Sequence, residues 1–171
     1  MFDALYAAFP HLPLVAEDLG IITPEVEALR DRYHLPGMKI LQFAFDGSAD
    51  NPYLPAQHGE NAVVYTGTHD NDTTLGWYNS LDDTVRDYVD QCLAALPQKK
   101  MPWRLIEAAL ASTTLLAIIP MQDLLALGSE ARMNTPGKIE DNWHWRFDWR
   151  QLPDNLVLEM AGLLQHYRRG V

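Results

Sequence analysis

The sequence predicts an α/β protein with parallel strands, and three observations carry that prediction. Apolar runs without polar alternation recur at residues 12–16, 38–45, 62–65 and 115–119, as expected of strands buried on both faces. Helical patterns lie between and around them, and strands alternating with helices join through right-handed crossovers into a parallel sheet. Two of the runs end in chemistry-bearing residues, Glu17-Asp18 and Thr68-His69-Asp70-Asn71-Asp72. In α/β folds the carboxyl ends of strands carry the site.

The elements follow in order. The chain opens in an amphipathic helix, with Leu5, Ala8 and Phe9 on one side. After the first strand, Thr23 is placed to cap a helix that has Pro24 at its first position and Glu25 at its positive end. That helix stops near Tyr33, ahead of Pro36-Gly37. Residues 46–59, rich in Gly and Pro, read as a loop between the second and third strands. A loop or short helix follows the third. Asp82 begins a helix with Val85, Val89, Cys92, Leu93 and Leu96 on one face. Pro102 begins another, through Leu105, Ile106, Ala109 and Leu110. After the fourth strand comes a polar stretch, 128–150. A last amphipathic helix carries Leu156, Met160, Leu163, Leu164 and Tyr167. All 171 residues read as one structural unit. Four βα units suit a small open sheet or half of an eight-stranded barrel, which when complete takes about 250 residues.

Composition narrows the function. The net charge is −10, from 13 basic and 23 acidic residues. Nucleic acid and anionic membrane are thereby disfavoured as main partners, because both need a basic face. The single cysteine, Cys92, cannot form an internal disulfide and reads as a small core residue. The opening Met1-Phe2-Asp3-Ala4 has no basic, apolar leader pattern. The longest strongly apolar run, 115–119, is too short to span a bilayer. A cytoplasmic protein is the expectation.

The site is expected among three clusters. Glu17, past the first strand and flanked by Ala16 and Leu19, would suit a general acid if partly buried, or could simply pair with a Lys or Arg. Asp18 beside it can bond backbone amides of the turn. Asp70 can accept hydrogen bonds from sugar hydroxyls and stabilise positive charge in a transition state, with His69 donating to the same substrate. Asp72 and Thr73 more often cap the following turn. The third cluster is Gln122-Asp123, Glu130 to Gly137, and Asn142-Trp143-His144-Trp145-Arg146. Of the five tryptophans, three fall between positions 143 and 149. Their faces can stack on sugar rings, or they can pack the base of the unit. Phosphate-cradling glycine motifs and a nucleophile elbow are absent. The six histidines show no metal-ligand spacing. Asp46, Ser48, Asp50 and Asn51 fail the spacing of a calcium loop.

Four motifs taken together, Ala16-Glu17-Asp18-Leu19-Gly20, Gly67-Thr68-His69-Asp70-Asn71-Asp72-Thr73, Gln122-Asp123-Leu124-Leu125, and Arg132-Met133-Asn134-Thr135-Pro136-Gly137 with Asn142-Trp143-His144-Trp145-Arg146, closely resemble the 4-α-glucanotransferases, the amylomaltases of glycoside hydrolase family 77. The resemblance implies a (β/α)8 TIM barrel of which this chain supplies only strands five to eight, the N-terminal half being absent. It implies transfer of α-1,4-glucan segments between maltooligosaccharide or starch-like chains by a retaining double displacement, without cofactor or metal. Glu17 then matches the general acid/base and Asp70 the transition-state stabiliser. His69, Asn71, Asp18, Asn134 and Trp143 match substrate contacts. The family's nucleophile, an Asp in an R-x-D motif at the end of strand four, has no counterpart on a strand end here. Arg30-Asp31 and Arg86-Asp87 lie in predicted helices and Arg146-Phe147-Asp148 in the late loop. The expectation is therefore negligible activity alone, with self-association or pairing with the missing half. Two other readings stay open: a non-catalytic carbohydrate-binding module, and a metal-dependent phosphohydrolase using His69-Asp70.

Overall fold

The computed structural model describes residues 1–98 and 100–170. A three-stranded parallel sheet organises them, in the order β1 (Gly37–Ile40), β2 (Ala62–Tyr65), β3 (Leu116–Ile118). Met38 pairs with Val63 and Val63 with Leu116, so these three share one face of the sheet. The helices are α1 (Phe2–Ala8), α2 (Pro24–Arg32), α3 (Thr74–Ser80), α4 (Asp83–Cys92), α5 (Trp103–Ala111), α6 (Met121–Leu124) and α7 (Leu156–His166). Among the described residues, no helix is long and apolar enough to cross a membrane.

The core lies on one face of the sheet. Val64, with Ala117 packed beside it, meets Val89 and Leu93 from α4 and its end and Leu105, Ala108 and Ala109 from α5. α4 starts where Asp82 accepts a hydrogen bond from the Val85 amide at 2.9 Å, an N-cap. α5 buries six consecutive residues, Leu105 to Leu110, including Glu107, whose carboxylate takes the Gln98 amide at 2.7 Å and the Tyr167 hydroxyl at 2.9 Å. The second bond ties the end of α7 to α5. Arg169 fastens the same junction by donating to the carbonyls of Leu110, Ser112 and Thr114. A guanidinium suits a helix C-terminus, where carbonyls lack intrahelical partners.

The opposite face is only partly covered. Ile40 and Val63 are buried there, whereas Leu116 and Ile118 are 48% and 41% exposed and Leu115, just before β3, is 71% exposed. A fully covered fourth strand was the expectation. The apolar run does form a strand, but among the described residues its outer side is only half covered.

The first predicted strand, 12–16, does not form a ladder. It meets β1 through one bond, Ala16 N–H to Pro36 O at 2.8 Å. Pro13 has no N–H to donate, and the Leu14 amide turns back to Leu12 O at 3.0 Å. The run at 38–45 is strand only to Ile40. Leu41–Phe43 is a 3-10 turn that delivers Leu41, Ala44 and Phe45 to the core. A continuous apolar run cannot distinguish these outcomes by period. Thr23 stands at the N-cap of α2 without capping it. Its hydroxyl bonds Glu25 instead, holding that carboxyl below the usual range. Cys92 is exposed rather than core, at the margin of the stripe made by Val89 and Leu93.

Candidate active site

The residues after the 12–16 segment, β2 and β3 converge at the carboxyl end of the sheet. A cavity of about 460 Å³ opens there, lined by Val15, Glu17, Leu19, Met38, Tyr65, Gly67, Thr68, His69, Asp70, Ile118 and Pro120. Tyr65 and Ile118 are the last residues of β2 and β3. Two lining residues carry carboxylates, Glu17 and Asp70, which are about 50 positions apart in the chain. Both are exposed, so the partial burial expected for Glu17 is not met.

Glu17 is held from both sides. Ala16 bonds Pro36, and Asp18 accepts the Met38 amide at 2.7 Å and the Arg30 guanidinium at 2.6 Å. The bond from the Met38 amide fits the backbone-amide role read for Asp18 from the sequence. Its side chain is 8% exposed, and both oxygens already bond within the fold. Gly37 is required next to it, because a Cβ there would strike the Asp18 carboxylate.

Asp70 sits at the apex of the loop 66–74. Asn134 donates to its Oδ1 at 2.6 Å, and the Asn134 amide bonds His69 O at 3.0 Å. Arg132 donates to Asp70 O at 2.6 Å and to Asn134 O at 2.8 Å. His69 Nε2 lies 3.3 Å from Asp70 Oδ1. Asn134 thus touches Asp70 directly. Asn71 Oδ1 takes the Thr68 amide and hydroxyl, both at 2.9 Å, so half of that amide shapes the loop. Trp143 is half-exposed, with its ring centroid 5.1 Å from that of His69. Its amide bonds Met133 O at 2.7 Å. Trp145 and Trp149 are elsewhere, in a ring series through Phe147, and line neither cavity at this end.

A second cavity of about 180 Å³ lies behind the loop, lined by His69, Asn71, Asp72, Gln122, Asp123, Arg132 and Trp143 among others. Its polar groups already bond one another. Asp72 takes the Ser129 hydroxyl at 2.6 Å and the Thr73 amide at 2.7 Å, and Gln122 donates to Ala131 O at 3.2 Å. Thr73 caps α3 through the Gly76 amide at 3.1 Å. Burial pushes the Asp123 carboxyl up, against the pull of hydrogen bonds from Thr66 and Thr74. These bonds fix one wall of the crevice, while His69, Asn71 and Trp143 also face it. Among the described residues, no group of three or more His, Cys, Asp or Glu gathers as metal donors.

Acids at the carboxyl end of parallel strands define an enzyme-type site of the α/β class. Comparison with known proteins makes this specific. Residues 1–152 match the model of the 4-alpha-glucanotransferase family of glycoside hydrolases. The 4-alpha-glucanotransferases of Thermus thermophilus and a Synechocystis strain are 51% and 48% identical over 96% and 99% of this chain, and each is covered over 34% of its own length. The chloroplastic/amyloplastic enzyme of Arabidopsis thaliana is 46% identical over 99% of this chain and 30% of its own. Amylomaltase from Streptococcus agalactiae, in complex with acarbose, superposes with a TM-score of 0.94 at 31% identity, over 99% of this chain and 34% of that one. The chain belongs to the 4-alpha-glucanotransferase family. It spans about a third of the length of these relatives.

Proposed function

We propose that this chain carries the acid/base side of a retaining 4-α-glucanotransferase site acting on maltooligosaccharides and starch- or glycogen-derived chains. The observation that carries the reading is the convergence of Glu17 and Asp70 on one cavity at the carboxyl end of the sheet. Glu17 protonates the departing glycosidic oxygen and later deprotonates the acceptor hydroxyl. Asp70 holds negative charge beside the oxocarbenium-like transition state. His69 and Asn71 bond sugar hydroxyls, and the Trp143 ring offers a stacking face. The amylomaltase relative with acarbose bound, so close in backbone, supports an oligosaccharide in this place. The reading also keeps the cytoplasmic expectation for this chain.

The same proposal takes the sheet as strands five to eight of a (β/α)8 barrel, the 12–16 segment standing for the first of them. The half-exposed outer face of β3 supports it, since parallel sheets are normally covered on both sides. The covering partner is the missing half, or a second copy in its absence. A retaining mechanism also needs a nucleophilic carboxylate about 5–5.5 Å from the acid. Asp148 does not supply it. Its side chain accepts the Arg150 amide at 2.9 Å, pairs with that guanidinium, and lies outside the cavity lining. The isolated chain is accordingly inactive. Mixing it with the N-terminal part of a relative, with glucose release from maltotriose as readout, tests the proposal. Activity that appears only in the mixture and disappears with Glu17→Gln supports it. No gain over either part alone rejects it.

A further inference from the structure

We propose that Asp123 is a positioning residue that closes the loop bearing His69 and Asp70. The proposal rests on the reading of those two side chains as glucan-facing. The loop leaves the sheet at Thr66, just past β2, and returns at Thr74, the first residue of α3. Both ends bond one carboxylate. Thr66 Oγ1 donates to Asp123 Oδ2 at 2.6 Å, Thr74 N–H donates to Oδ1 at 2.8 Å, and Thr74 Oγ1 donates to Oδ2 at 2.7 Å. Thr66 and Thr74 are fully buried and Asp123 is 1% exposed. The chord of the loop is therefore set by a single side chain that comes from the helix following β3.

Nothing inside the loop replaces this closure. Bonds within residues 67–71 are local, Thr68 with Asn71 and Asp70 with Thr68, and Gln42 and Ser129 hold only Asp72, beside the Thr74 end. At the apex Arg132 and Asn134 hold Asp70 from outside, and that fixes the tip only relative to wherever the base stands. The three bonds recorded for the Asp123 side chain all go to the loop's two ends and none to the helical core. Its loss should therefore be felt at the loop first. Charge is not what the closure needs. An Asn at 123 keeps an oxygen for the Thr74 amide, and its NH₂ can donate to hydroxyls that turn to accept. The conservative variant is thus expected to rescue what the truncation breaks.

Amide hydrogen exchange, with maltoheptaose titration alongside, tests this on the chain and its Asp123→Ala, Asp123→Asn and Thr66→Val variants. Asp123→Ala is expected to speed exchange at Thr68, Asn71 and Thr74 by about tenfold or more. Val63, Val64 and the α5 amides keep their rates, and maltoheptaose binding weakens. Asp123→Asn stays close to the parent in both readouts. Thr66→Val keeps the side-chain shape and removes one donor. If Asp123→Ala does not fold, this variant decides, with faster exchange confined to the loop supporting the closure. An equal rise throughout the chain, no rise in the loop, or an Asn variant as damaging as the Ala one overturns it. A parent chain that binds no maltoheptaose counts against the glucan reading, while the exchange pattern still judges the closure.

Discussion

Glu107 offers a sharp test of how this chain holds its last helix. It is 2% exposed within α5, and its two oxygens accept the Gln98 amide at 2.7 Å and the Tyr167 hydroxyl at 2.9 Å. Leu at this position keeps the volume and removes both acceptors. The Gln98 N–H is then orphaned in a partly buried place, at a cost of about 1–3 kcal/mol. The half-buried Tyr167 hydroxyl can turn towards water, so its loss is smaller, about 1 kcal/mol. Glu107→Leu should therefore lower the unfolding free energy by about 2–4 kcal/mol. Gln at the same position presents a carbonyl to Gln98 and an NH₂ to the tyrosine oxygen, which can accept. Glu107→Gln should lose about 1 kcal/mol or less. Urea unfolding followed by circular dichroism measures both, read as a midpoint shift at constant slope. The parent Tyr167, pushed up to about 12 by burial and by its bond to Glu107, should titrate lower in both variants by ultraviolet absorbance. A Leu variant within about 0.5 kcal/mol of the parent, or a Gln variant as damaging as Leu, would refute the account.

Three further outcomes follow from the geometry. A Cβ at Gly67 would lie 2.5 Å from Gln42 Nε2, which donates to Asp72 O at 2.9 Å; Gly67→Ala should cost about 1–3 kcal/mol, seen as a lower melting temperature. His58 is buried between Ser112 Oγ at 2.7 Å and Tyr53 O at 2.9 Å, and burial lowers its pKa from 6.5. The unfolded chain then takes the proton first, so His58 contributes stability above pH 6.5 that fades as pH falls through the folded value. His58→Gln should flatten that part of the stability–pH curve. Arg169→Ala frees three carbonyls at the end of α5 and should lower stability by about 1–3 kcal/mol, with faster exchange in α7 as the local sign.

Much of this was legible because local chemistry and tertiary structure agree. β2 forms at 62–65 as predicted, α4 begins at the Asp82 cap and α3 at the Thr73 cap. Glu17, His69 and Asp70 do meet in one cavity. Other features depend on neighbours that no periodicity reports. The 12–16 run has strand-like residues but a proline and a single bonded neighbour, so it stays irregular. Asp18 reads from the sequence as an acceptor of backbone amides, but its ion pair with Arg30, twelve positions on, follows from no local pattern. Asn134 was visible as a polar residue in a motif, but its bond to Asp70 spans 64 positions. Asp123 stood out in a motif without a partner, since Thr66 and Thr74 become its donors only after the sheet forms. Cys92 is misjudged by helical spacing alone, because a stripe's margin depends on how far the opposing wall reaches.

The bracing of Glu17 separates chemistry from stability at that position. Its neighbours do the anchoring, so on the proposed reading Glu17→Gln removes the acid while leaving the architecture unaltered. At Asp18 the same exchange would loosen the ties to α2 and β1 together, so of two adjacent carboxylates one carries the fold and leaves the other unencumbered.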